Sequence, residues 1–156
     1  MRPLSVSGLA VALIAGLWWA LASPAAAEQP AAVQLSVDVI YADGSGQGVD
    51  PQLRGVDRQL NRQFRYSTYR LLGQHRLFQA MGQDGRVSLP GGRHLQVLPQ
   101  GVSDGGAVVL MISIRQGERF VMPNMVLKLA NRGTVLVGGP VHEAGVLILA
   151  ITAGVQ

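Results

Sequence analysis

From Tyr66 to Gln156, glycine-bearing turn signals recur at short spacing: Asp84-Gly85, Pro90-Gly91-Gly92, Asp104-Gly105-Gly106, Gln116-Gly117 and Asn131-Arg132-Gly133. Pro followed by Gly suits a type II turn, while Asp-Gly and Gln-Gly suit tight hairpin turns with positive φ. Punctuation this dense leaves room for short strands joined by hairpins. The segments near 67–80, 86–89, 93–98, 107–115, 119–129, 134–138 and 145–152 are therefore expected to be strands. Two of them, Ala107–Ile114 (AVVLMISI) and Val146–Ile151 (VLILAI), are apolar on both faces and are expected to be central and covered on both sides.

Upstream the pattern changes twice. Val33, Leu35, Val37 and Val39 alternate with Gln34, Ser36 and Asp38, the period-two signature of a half-buried strand. Ala42 to Val49 reads as a flexible loop. Asp50-Pro51 then opens a helix, since Asp is a favoured N-cap and Pro at the first helical position loses no needed hydrogen bond. At 100° per residue, Leu53, Val56, Leu60 and Phe64 share an arc of about 80°, the stripe that would be buried. Arg54, Arg58, Arg62 and Arg65 share a similar arc of about 80° on the nearly opposite side. Gly55 costs this helix up to about 1 kcal/mol against Ala, so packing has to hold it. The helix is expected to end near Phe64.

These elements define an α+β fold that is predominantly antiparallel β. One strand and one amphipathic helix are followed by six or seven meandering strands, which form a sandwich or a partly open barrel. The helix is one natural cover for the apolar strands and a second sheet is the other. Residues 33–156 are expected to be a single β-rich domain, preceded by a loose segment at 28–32.

The first residues read as an address. Arg2 is the only charge before the apolar run Leu9–Leu21, Ser23-Pro24 breaks that run, and Ala25-Ala26-Ala27 supplies the small side chains of a cleavage site. A membrane-spanning helix needs about 20 apolar residues, and this run is shorter. The reading is a signal peptide over 1–27, cleaved after Ala27, and export to the periplasm or the extracellular space, with no membrane span after cleavage. Loss of Arg2 lowers the net charge from +4 to +3, a modest field that does not suggest a nucleic-acid partner.

Chemistry is sparse. Charged residues are 14% of the chain and mean hydropathy is +0.26, against about a quarter charged in an average soluble domain, which argues for a packed core rather than disorder. The absence of cysteine excludes disulfides, thiolate metal ligation and thiol catalysis. Gly44-Ser45-Gly46-Gln47-Gly48 lies between a strand and a helix, but it has neither dinucleotide-binding spacing nor the Lys of a phosphate loop. His75, His94 and His142 are isolated, without the i,i+4 or i,i+2 spacing of a metal pair. No G-x-S-x-G occurs, and Asp43, Asp50, Asp57, Asp84 and Asp104 fall in turns or at the helix start. No catalytic residue, cofactor or metal is assigned. The one local His–carboxylate pairing, His142-Glu143, supports the alternative of a small hydrolase using His94 or His142 with Glu143.

The arginine stripe is the most specific surface feature. Arg54, Arg58, Arg62 and Arg65, followed by Arg70 and Arg76, could dock phosphates or carboxylates of a lipid surface or a partner protein. The plain alternative is a solvated helix face, partly neutralised by Asp57. Gly133–Gly139 (GTVLVGG) followed by Val146–Ile151 resembles the strand pair near the end of bacterial secretins, ring-forming outer-membrane channels. The resemblance lacks the secretins' repeated N-terminal modules and membrane-spanning hairpins, so it implies a role beside an envelope secretion or assembly machine and no channel activity. The expected function is binding without catalysis, by an exported protein whose partner is an envelope protein or an anionic surface. Self-assembly through an exposed strand edge is a further reading.

Overall fold

A computed structural model describes residues 32–156; the leader read over 1–27 and most of the segment at 28–32 lie outside the described residues. Nine strands and one α-helix follow in chain order: β1 (Ala32–Asp43), β2 (Gly48–Val49), α1 (Asp57–Gln63), β3 (Thr68–Ala80), β4 (Gly85–Leu89), β5 (Arg93–Val102), β6 (Val108–Gln116), β7 (Arg119–Leu129), β8 (Gly133–His142) and β9 (Gly145–Val155). They form a five-stranded sheet in the order β2-β3-β1-β9-β8 and a four-stranded sheet in the order β4-β5-β6-β7. All pairings are antiparallel except the short one between β2 and β3. The fold is the β-dominated α+β sandwich expected from the turns and alternation.

The meander holds only for β4 to β7. In the five-stranded sheet the last strand, β9, lies between β1 and β8, so the first and last strands of the described chain pair along most of their length. Two apolar layers result. Leu35, Val37, Val39 and Tyr41 of β1 meet Leu95, Val97, Leu110, Ile112 and Ile114 of the opposite sheet, with Leu147, Leu149 and Ile151 of β9 beside them. On the other face of the same strands, Ile40, Ala42, Ile148 and Ala150 pack under Leu53 and Leu60. Each such aliphatic side chain contributes about 1.5–3 kcal/mol by leaving water.

β9 is therefore covered on both faces, as its composition implied. β6 departs from that expectation. Val108, Leu110, Ile112 and Ile114 are buried between the sheets, but Val109 and Met111 are only half-buried, and nothing among the described residues forms a layer over them. Their neighbours are lateral: Met111 stands between Leu98 of β5 and Val126 of β7, and Val109 between Gly101 and Lys128.

The helix is also shorter than its pattern. Asp50 is the N-cap, its Oδ1 accepting the Gln52 N–H at 3.0 Å with Pro51 at the first position, but the turn it opens is a 3-10 turn over Pro51–Leu53. The chain turns through Arg54–Val56, and α1 begins at Asp57 without a side-chain cap. Gly55 sits in that break, where its low helix propensity is no handicap. The buried stripe survives the break because Leu53 and Leu60 both reach the sheet. Tyr69 closes the far end of α1: its hydroxyl donates to the Phe64 carbonyl at 3.1 Å and accepts the Tyr66 N–H at 3.3 Å.

Two further local corrections follow. The loop read at Ala42–Val49 is shorter, because Ala42 and Asp43 continue β1 and Gly48-Val49 pair with Thr68-Tyr69. The turn between β3 and β4 bends at Gly82 (φ 79°) rather than at Asp84-Gly85. Pro90-Gly91-Gly92 does turn as expected, with Gly91 at φ 80°.

Candidate functional site

Two polar regions bear most on function. The first is the end of the sandwich where β1, β3, β5 and the β8–β9 hairpin meet. Asp43, the last residue of β1, is buried, and its Oδ2 accepts the Ser45 hydroxyl at 2.8 Å while Oδ1 accepts the Ser45 N–H at 3.2 Å. The Ser45 hydroxyl is the main reason its carboxyl titrates below the ordinary range, assisted by the Tyr41 hydroxyl and by Arg70 against the opposing effect of burial. The Arg70 guanidinium lies 3.9 Å from that carboxylate and 5.0 Å from the centre of the Tyr41 ring. Burial, followed by the negative charge of Asp43, pushes the Tyr41 phenol above its usual pKa.

Across the Tyr41 ring stands His142, edge-on at 6.0 Å. Its Nδ1 faces Arg93 at 3.2 Å, and its Nε2 faces Glu143 at 3.8 Å. Arg93 also donates to the Val141 carbonyl at 2.9 Å and to the Pro90 carbonyl at 3.1 Å, so this one side chain ties the β4–β5 turn of one sheet to the β8–β9 hairpin of the other. A side chain on Gly91 would sit 2.8 Å from that guanidinium. Gly145 fits here for the same kind of reason, since a Cβ would overlap the Ala42 carbonyl. The groups in this cluster hold one another. The Ser45 hydroxyl of this cluster bonds Asp43 rather than an imidazole.

The structure does not bring the other histidines here. His94 lies beside buried Leu95 on the outer face of the four-stranded sheet, paired with Ser88 and Arg115. His75 pairs with Val37 on the outermost long strand of the five-stranded sheet. Neither forms an ion pair among the described residues. No group of three or more His, Asp or Glu among the described residues could hold a metal ion. The hydrolase alternative thus retains His142 with Glu143 and loses His94 as a partner of that carboxylate.

The second place is the side of the molecule that carries α1. Arg54, Arg58, Arg62 and Arg65 are all exposed, and among the described residues none of the four forms an ion pair. They do not share one continuous helix face as the periodicity suggested. Arg58 and Arg62 stand one turn apart on α1, Arg54 lies in the turn before it, and Arg65 follows its end. Asp57 accepts the Arg58 N–H at 2.6 Å through Oδ1, which leaves the guanidiniums to solvent.

Beyond the helix, the same sheet face continues as a polar floor of Gln34, Ser36 and Asp38 on β1, Arg76 on β3, Thr134 on β8 and Thr152 on β9. An open groove of about 260 Å³ lies over part of it, lined by Gln34, Ser36, Arg132, Thr152 and Gln156. Arg76 and Arg132 therefore add to the arginines of the helix layer, whereas Arg70 is engaged with Asp43. Arg132 was legible in sequence only as a turn residue; it holds a positive φ of 63° at the entry to β8. Burial raises the pKa of Asp38 in this floor, while Gln74 and Arg76 pull it back down.

The β8–β9 strands that resemble a secretin strand pair form one antiparallel hairpin. No protein-family model, curated protein or solved structure matches this chain. No helix among the described residues is long and apolar enough to cross a membrane.

Proposed function

We infer that this chain is an exported β-sandwich that acts by binding rather than catalysis, and that the arginine side docks on an anionic envelope surface. The observation that carries this reading is the set of four exposed guanidiniums at 54–65 without an ion-pair partner among the described residues. Arginine suits the task because its planar fork binds phosphate or carboxylate oxygens in pairs and stays charged at any physiological pH. Arg76 and Arg132 extend the same field across the sheet floor. Export rests on the leader-like sequence of residues 1–27.

The test is co-sedimentation of the protein with vesicles of phosphatidylglycerol and, separately, of phosphatidylcholine. Binding is expected only to the anionic vesicles, weakening as salt screens the charges. Reversal of two charges in Arg58→Glu/Arg62→Glu is expected to abolish it, and unchanged binding by that variant would remove the arginines from the function. Mass analysis of the protein recovered after export is expected to find Glu28 as its first residue.

A further inference from the structure

Each open edge of a β-sheet presents a row of unpaired N–H and C=O groups, and proteins usually blunt such edges. The edges among the described residues differ in this respect. β4 has five residues. β7 contains Pro123 and pairs with β6 through register breaks on both sides of Ile114. β8 contains Pro140 and has a register break between Gly138 and Val141. β3 is thirteen residues long and lacks proline. Among the described residues its outer side is met by Gly48-Val49, opposite Thr68-Tyr69, and by Asp50, which donates its N–H to the Tyr69 carbonyl and accepts the Leu71 N–H through Oδ2, whereas no strand pairs with that side beyond Leu71. Its one irregularity leaves Leu72 as an extra residue, and from Gly73 to Ala80 its pairing with β1 is unbroken. Phe78 on this stretch is 63% exposed.

We propose that the chain forms a two-fold dimer by antiparallel pairing of β3 with β3 of a second copy, centred on Leu77. Residues directly opposed in such a pair share a sheet face, so the symmetry axis has to coincide with a residue. Centres at Arg76 or Leu77 use the regular stretch most fully. A centre at Arg76 opposes two guanidiniums directly. A centre at Leu77 sets each Arg76 opposite the partner's Phe78, a cation–π arrangement made twice, with His75 opposite the partner's Gln79. The pairing then ends at Gln74 opposite the partner's Ala80, short of β2. The strand is its own complement at this register, which is why the occupant is a second copy.

A two-fold axis perpendicular to the sheet keeps both copies of α1 on the same side. The dimer would thus double the arginine surface and bind a membrane through two linked contacts. That consequence rests on the proposed function, whereas the dimer itself does not.

The experiment is molecular mass by sedimentation equilibrium over a wide concentration range, with no vesicles present. The mass is expected to rise from one chain to two. Phe78→Arg, a change at an exposed position, places like charges opposite Arg76 at both sites and is expected to weaken association at least about tenfold. Adding Arg76→Glu to that variant restores opposite charges and is expected to restore the dimer. A mass of one chain at every concentration, or a dimer indifferent to both variants, overturns the proposal. A dimer that ignores anionic vesicles sinks the arginine reading alone, and a monomer that binds them sinks the dimer alone.

Discussion

Asp43 ends β1, a strand that touches both apolar layers, and its carboxylate is satisfied by the Ser45 hydroxyl and N–H with Arg70 nearby. Its folded pKa lies below the ordinary value. The stability it contributes is therefore present above the unfolded carboxylate pKa of about 3.9 and lost as pH falls through the lower folded value. Asp38 has the opposite sign: its pKa is raised by burial, so its contribution is lost as pH rises through the carboxylate range. Asp43→Asn is expected to lower the melting temperature at neutral pH and to flatten its fall in acid, measured by circular dichroism against pH. An acid limb identical to that of the native protein would show that Asp43 is not the group responsible. None of this was visible in the sequence, where Asp43 looked like an ordinary loop acid, because burial and the approach of Arg70 come from the β1–β3 pairing.

At the scale of elements, α1 is too short to persist by propensity alone, since isolated helices below about 12–15 residues are marginal in water. Leu60, fully buried against the five-stranded sheet, and the Tyr69 hydroxyl under the helix end supply what propensity does not. Leu60→Ala is expected to cost about 2–5 kcal/mol. Tyr69→Phe leaves the Phe64 carbonyl and the Tyr66 N–H without their partner and is expected to cost about 1–3 kcal/mol. Urea unfolding measures both, and a Tyr69→Phe protein as stable as the native one would remove the tyrosine from the helix end. The sequence was legible here in its apolar stripe and its Asp50 cap. The break at Arg54–Val56 was not, because a stripe computed at constant 100° steps continues through a turn that happens to keep Leu53 and Leu60 on the same side.

At the scale of the whole molecule, β1 pairs with β3 and also with β9, whose residues lie more than a hundred positions away in sequence. Contacts of such long sequence separation make folding slow, in the range of about milliseconds to seconds. They also make β9 indispensable, since Leu147, Leu149 and Ile151 fill one apolar layer while Ile148 and Ala150 fill the other. A chain truncated before Gly145 is expected to lack cooperative thermal unfolding and dispersed amide resonances. A truncated chain that kept both would mean that β1 and β3 fold without their third neighbour.

The local chemistry of the chain was enough to determine its long strands, most of its turns and the side on which its helix is buried, but not the short β2. Those depend on alternation, on glycine and proline, and on spacing within a few residues. The insertion of β9 beside β1, the sharing of six arginines between a helix layer and a sheet floor, and the lack of a neighbouring strand on the outer side of β3 beyond Leu71 among the described residues were decided only in three dimensions. Each depends on which distant segments become neighbours, and side-chain periodicity sets the face a residue occupies without naming the strand that lies next to it.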